Sequence, residues 1–298
     1  MKKNVKWLYI YWMPYDNNLS HLKDVIIQML RNGCRSSEIV IYIFSDSLNQ
    51  KAIHKLGISN QMILEDISLT FEDSSNAQYL QDCIVDLLKK YKTEKIGLNI
   101  LGHGGKIDEI SPDQNSGKII KETWSWMNIF TLKEKLIYII QILGKKFDFL
   151  FLQNCCKGTI EANYNFKDIA AVILSSQKVL GAPNYYYENT FQFLSNHVNI
   201  SGEELAKVIV ETETDDMYFS YSIIKTNMLH EFSKKLNSLI KELVVFNLEA
   251  KDFNTYNYAG ETLADLNIFL KFLARKDEKT NLLYCCLLYT SPSPRDIG

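Results

Sequence analysis

The chain has 298 residues, 46% apolar and 23% charged, with a formal net charge of −2. That balance fits a globular protein with a sizeable core, excludes a disordered chain, and gives no reason to expect a nucleic acid as partner. The six cysteines, Cys34, Cys83, Cys155, Cys156, Cys285 and Cys286, match neither a secreted disulfide framework nor a zinc-ligand spacing, so they read as mostly free thiols and no metal site is expected from them.

Met1-Lys2-Lys3-Asn4 resembles the basic start of a signal segment, but Val5 to Met13 mixes Lys, Trp and Tyr and runs into Asp16. It reads as a first strand, Trp7 to Met13, and the chain as cytoplasmic, with secretion left open. No apolar run reaches about 18 residues, so no membrane-spanning helix is expected. Asn17 or Asn18 caps a helix with Leu19, Leu22, Val25, Ile26, Met29 and Leu30 on one face, stopped by Gly33. Ile39 to Phe44 is a β-branched strand and Met62 to Ile67 a weaker one. Ser74 or Ser75 opens a helix whose stripe holds Ala77, Leu80, Cys83, Ile84, Leu87 and Leu88, which makes Cys83 a core residue. Ile96 to Leu101 is a buried strand, followed by an unusually long segment, Gly104 to Asn128, with a hairpin arm at Ile119 to Trp126.

Thr131 with Glu134 forms a capping box for a helix carrying Leu132, Leu136, Ile139, Ile140 and Leu143, ended by Gly144. The strand Phe147 to Leu152, a helix from about Thr159, and the strand Ala170 to Leu174 follow. Beyond Ser176 the chain reads as helical: Phe191 to Leu194, a Ser201/Glu204 capping box before Leu205, Val208 and Ile209, then Leu229 to Phe246 and Gly260 to Leu273. The alternation implies an α/β fold, a mostly parallel sheet with helices on both faces, plus C-terminal helices. The expected division is a core at 1–222 and a helical C-terminal region at 223–285. Residues 286–298 look like a translated sequencing-library adapter and are excluded from fold reasoning.

Two runs concentrate the chemistry. Leu101-Gly102-His103-Gly104-Gly105 and Gln153-Asn154-Cys155-Cys156-Lys157-Gly158 each follow a buried strand. Residues just past the carboxyl ends of parallel strands line the ligand crevice, so a His and a Cys there can meet. Cys155, ahead of a helix N-terminus, would feel the positive end of its dipole. His103 would carry the proton, and the N–H groups of Gly104 and Cys155 would hold an oxyanion. Taken singly, a lone His and a buried Cys are more often ordinary core residues. A nucleotide-binding module is a weaker rival, because Gly102-His103-Gly104-Gly105 fits neither a GxGxxG nor a P-loop spacing.

The order of motifs resembles the clostripain family of cysteine peptidases, within the caspase-like group (clan CD). Lys6 to Tyr11 followed by Asp16-Asn17-Asn18-Leu19 is similar to its opening strand and turn, Leu101 to Gly105 to its histidine motif, and Phe147 to Glu161 to its nucleophile strand. Ser175-Ser176-Gln177 and Gly181-Ala182-Pro183-Asn184-Tyr185 resemble the segment that follows. The resemblance implies a caspase-like sheet, peptide-bond hydrolysis by a Cys–His dyad, a peptide or protein substrate, and calcium as a possible cofactor. If the chain matures by cutting itself, the cut is expected in the long segment from Lys106 to Glu122, because nicking concentrates at exposed loop tips. The resemblance favours Cys155 over Cys156 as nucleophile, since Gly158 and Glu161 then fall three and six residues on. It puts Gln153, Ser175 and Ser176 in the specificity pocket, with Asp16 a further candidate. The family's Asp two residues before the nucleophile selects Arg or Lys; here Gln153 stands there, which implies a non-basic or altered specificity. The alternative is an inactive caspase-like domain that binds a protein partner.

Overall fold

The computed structural model describes residues 2–48, 50–70, 72–115, 124–214, 217, 219–243 and 255–274. An eight-stranded sheet forms the centre. Its strands are β1 (Lys3–Tyr15), β2 (Ile39–Ser47), β3 (His54–Ser59), β4 (Met62–Ser68), β5 (Tyr91–Leu101), β8 (Phe149–Gln153), β9 (Val172–Ser176) and β10 (Tyr221–Lys225), in the order β10-β9-β8-β5-β1-β2-β3-β4. The five middle strands, β9-β8-β5-β1-β2, are parallel. Strands β3, β4 and β10 pair antiparallel at the edges. Strand order reverses beside β1, because β2 lies on one side of it and β5 on the other. In open α/β sheets that reversal opens a crevice at the carboxyl ends.

Strand β1 shows why the sheet is covered on both faces. Leu8, Ile10 and Trp12 point into one buried cluster, and Trp7, Tyr9, Tyr11 and Met13 into the other, as the two-residue period of a strand requires. The first cluster is closed by α2 (Ala77–Lys90), α3 (Ile129–Leu143) and α4 (Ile160–Tyr164), the second by α1 (Lys23–Gly33), α5 (Tyr186–Asn196) and α6 (Gly202–Thr212). Each Leu or Ile fully buried this way contributes roughly 1.5–3 kcal/mol. Beyond the sheet, α7 (Thr226–Leu243) and α8 (Leu266–Ala274) share a small apolar cluster with Ile160 of α4.

Several expectations need correction. On α1, Val25 is exposed, while Leu19, Leu22, Ile26, Met29 and Leu30 pack on the core; a single 3-10 turn at Ser20–Leu22 precedes the helix. Asn128, not Thr131, caps α3, accepting from the N–H groups of Phe130 and Thr131. The long segment after β5 contains a hairpin, β6 (Glu109–Asp113) paired with β7 (Ser125–Asn128); residues 119–123 of the expected arm lie outside the described residues. Strand β3, between β2 and β4, and the edge strand β10 were not anticipated, and β10 runs across residue 222. Gly260 to Leu273 is not one helix: β11 (Thr255–Tyr258) and β12 (Glu261–Ala264) form a hairpin whose turn includes Gly260, and only α8 follows. The proposed adapter segment and residues 244–246 of the long helix also lie outside the described residues. The Ser201/Glu204 capping box at α6 is present, each side chain accepting from the other residue's N–H.

Behind the crevice sit three buried carboxylates, Asp16, Asp46 and Asp113. Burial, reinforced by Asp113 and Asp16, pushes Asp46 up to about 8. A folded-state pKa raised above 3.8 means that the folded chain holds a proton the unfolded chain has lost. This group's stabilisation is complete below the unfolded value and is lost as pH rises through about 8. Denaturant melts at pH 5 and pH 9 are therefore expected to show a smaller pH-dependent loss for Asp46→Asn than for the unmodified chain. Equal losses would contradict a raised Asp46 pKa in the folded chain.

Candidate active site

Register brings the two sequence motifs together. Leu101 at the end of β5 pairs with Gln153 at the end of β8. His103 and Cys155 therefore stand two residues beyond the same rung of adjacent parallel strands. Both line one cavity of about 50 Å3. Tyr15 and Leu19, from the end of β1, form one wall; Leu180, Gly181 and Ala182, after β9, form another; Gln153 and Asn184 close it.

Cys155 is half-buried, and the Leu180 N–H donates to its Sγ at 3.4 Å. Cys156 is buried and sits in the left-handed region at φ 57°, a conformation unusual for a residue with a Cβ. The next side chain, Lys157, is fully buried. The helix expected from about Thr159 starts at Ile160, capped by the Thr159 side chain, and has five residues, its first turn five residues beyond the thiol. Its dipole fades over that distance, and the Leu180 N–H is the local donor instead.

His103 is held by Asn18: Nε2 lies 2.7 Å from Asn18 Oδ1. An amide oxygen as partner calls for the Nε2–H tautomer, which leaves the lone pair on Nδ1. Asn18 therefore serves the histidine, while Asn17 makes the turn, accepting from Leu19 N–H and donating to the Pro14 carbonyl. The imidazole also lies tilted against Trp124, 5.2 Å between centroids. Burial lowers its pKa, favouring the neutral ring. Glycines flank it for steric reasons. Gly102 has φ 101°, and a Cβ on Gly104 would fall 2.3 Å from the Cys155 carbonyl oxygen.

The β11–β12 hairpin lies over this loop. The Tyr258 hydroxyl donates to the Gly104 carbonyl at 2.5 Å and Tyr256 to the Gln177 carbonyl at 2.8 Å, while Glu261 accepts from Ile107 N–H at 2.6 Å. Burial, with the Cys155 sulfur beside it, holds the Tyr258 phenol protonated well above its ordinary value.

The clostripain family profile matches residues 11–283. The chain belongs to the clostripain family. It is a cysteine protease by that membership, and proteins or peptides are its substrates. No curated protein matches the chain significantly. Among solved structures it is similar to a secreted C11 cysteine protease from Bacteroides thetaiotaomicron in complex with an irreversible peptide inhibitor, with 15% identity, 96% of this chain and 83% of that one covered, and a TM-score of 0.72. An inactive zymogen C11 protease from Parabacteroides distasonis gives 17% identity, coverage of 98% and 83%, and a TM-score of 0.72. At these identities the likeness is one of fold, and it is the caspase-like α/β fold.

In this clostripain-family protease the cavity is lined by neutral groups. Gln153 Nε2 donates to Asn184 Oδ1 at 2.5 Å and to Tyr187 hydroxyl at 2.8 Å; its Oε1 accepts from Asn99 at 3.0 Å and Tyr186 at 2.7 Å. The tyrosine run after Asn184 thus packs behind the pocket and holds Gln153. Ser175 and Ser176 do not line the cavity. They lie inside β9, with Ser175 Oγ donating to Asn163 at 3.2 Å and Ser176 Oγ paired with Ser220. Asp16 does not line it either: its carboxylate accepts from the backbone and side chain of Asn115, at 2.7 and 2.8 Å, and Tyr15 takes its place. Leu180, Asn184 and Tyr258 were missed as site residues, and Asn18 was read first as a helix cap. The Gly-Ala-Pro-Asn run after a strand end was the available signal for Asn184. Among the described residues no group of three or more His, Cys, Asp or Glu could hold a metal ion. No helix among them is long and apolar enough to cross a membrane.

Proposed function

We propose that this protease hydrolyses peptide bonds with Cys155 as nucleophile and His103 as its proton carrier, and that it cuts after small neutral residues rather than Arg or Lys. The shared rung of β5 and β8, with both side chains on one cavity, is the observation that carries the dyad. The Cys155 sulfur attacks the scissile carbonyl carbon and its proton passes to His103. The Gly104 and Cys155 N–H groups bind the carbonyl oxygen as it becomes anionic. His103 gives the proton to the leaving amine, and the C–N bond breaks to leave a thioester. Water, deprotonated by His103, then releases the acid and restores the thiol. Burial of Cys156 supports its neighbour as the nucleophile. The neutral amide lining and the small volume support the specificity. Tyr258 over the thiol favours one competing reading, a silent domain.

Self-processing belongs to the same proposal. Ile110–Asp113 are buried in the β6–β7 hairpin, so the cut is expected within 106–109 or 114–122 rather than across all of 106–122. Incubating the protein with unfolded casein and mapping every fragment by mass spectrometry tests both points. Casein fragments that vanish with Cys155→Ala support the enzyme. No casein cleavage by freshly prepared protein favours the silent domain, and identical self-fragments from both proteins would rule out self-processing.

A further inference from the structure

Five consecutive backbone carbonyls of the histidine loop, Gly102 to Lys106, all accept hydrogen bonds from side chains. Asn154 Nδ2 serves Gly102 at 2.9 Å and His103 at 3.3 Å. Tyr258 serves Gly104. Lys157 Nζ serves Gly105 at 3.2 Å and also Lys106. Two of the three donors, Asn154 and Lys157, flank the Cys155-Cys156 pair on a single turn. We propose that Asn154 and Lys157 are positioning residues, which lock the His103 loop to the turn that carries the thiol. The proposal rests on the Cys155–His103 reading above.

Three of the loop's five residues are glycines, and a glycine-rich chain loses most entropy on being fixed. Such a loop does not hold an imidazole to the tolerance a proton transfer needs without external support. The Asn154 bond to the His103 carbonyl fixes the whole His103–Gly104 peptide plane. In a trans peptide the N–H points opposite to the carbonyl, so the same bond sets the direction of the Gly104 N–H. Lys157 is harder to explain otherwise. It is fully buried, and an ammonium is rarely buried without partners. Burial draws it down to about 8, opposed by Cys156 on its own turn, Glu261 on β12, Glu109 on β6 and the nearby Asp108. The bonds recorded for its Nζ go to loop carbonyls rather than to those carboxylates. The left-handed backbone at Cys156 is what lets Cys155 face the cavity while Lys157 turns under the loop.

The test uses Asn154→Ala, Lys157→Met and Lys157→Gln in the full chain, with steady-state kinetics on one cleaved peptide and hydrogen exchange of the Gly104, Gly105 and Lys106 amides. Each of the first two variants is expected to lower kcat by about 10- to 100-fold, the scale of a small misplacement, with KM nearly unchanged. Loop amides should exchange faster while β1 amides keep their protection. Lys157→Gln, which keeps a donor, should recover part of the loss. If Lys157→Met does not fold, Asn154→Ala and Lys157→Gln carry the same readouts. Unchanged kcat with unchanged loop exchange would overturn the proposal, as would a loss that appears only in KM. If the unmodified protein shows no Cys155-dependent hydrolysis, the dyad reading falls; the exchange data then decide the clamp alone, faster loop exchange supporting it and unaltered exchange overturning it.

Discussion

Cys155→Ala is expected to lower kcat/KM on any cleaved peptide by about 10⁴- to 10⁶-fold, the range seen when a nucleophile is removed. His103→Ala should cost about 10²- to 10⁴-fold, the contribution of a positioned acid–base group. The double variant should be little worse than Cys155→Ala alone, because residues that act as one unit do not add. Cys156→Ala should retain most of the activity, since that thiol is buried away from the cavity. The pH profile carries a sign. Burial lowers the His103 pKa from its ordinary 6.5. The neutral ring that accepts the thiol proton therefore persists below that value, and the acid limb of kcat/KM should fall below 6.5. For stability, a depressed basic group contributes above its unfolded pKa, and that contribution is lost as pH falls. A limb above 6.5, or a His103→Ala variant with full activity, would contradict the dyad.

The second large effect concerns the residue before the scissile bond. Gln153 offers its amide to four protein groups and has no charge with which to pair a substrate cation. Gln153→Asp should therefore shift preference toward Arg and Lys by about 10²-fold, the discrimination a charge-assisted pair supplies. The gain should be larger with Glu213→Gln. Glu213 is buried behind Asn184, accepting from its Nδ2 at 2.8 Å, and burial raises its pKa. A second carboxylate at 153 would be repelled by it. Strong turnover after Arg by the unmodified protein would contradict the neutral pocket and point to Glu213 as the substitute charge. Asp16 and Glu188 bond Asn115 and Asn32, which do not line the cavity, whereas Glu213 bonds Asn184, which does. A fluorogenic peptide panel differing only at this residue is the measurement.

What was readable in the chain depended on how local the cause was. Strand β1 announces itself through Trp7 to Met13, and α6 through Ser201 and Glu204, because a two-residue period and a capping box act within a few residues. His54 to Ser59 was not readable as β3: His54, Lys55 and Gly57 interrupt the apolar run, and only pairing with β2 and β4 makes the strand. Gly260 to Leu273 carries helical spacing, but Thr255 to Ala264 turns back on itself at Gly260. His103 and Cys155 were legible because each follows a buried strand and is set among glycines. The bonds of Asn184 to Gln153 and of Tyr258 to Gly104 were not, since they span 31 and 154 residues. Ser175 and Ser176 show the converse: they end an apolar run, yet they belong to β9 and face Asn163 and Ser220.

Site-resolved alkylation tests the central claim most directly. The folded protein is treated with limiting iodoacetamide, and each cysteine peptide is quantified by mass spectrometry, with and without His103→Ala. Cys155 is expected to be modified before Cys34, Cys83 and Cys156, which are spared by burial, and its rate is expected to drop when His103 is removed. An unreactive Cys155, or a rate indifferent to His103, would contradict that claim.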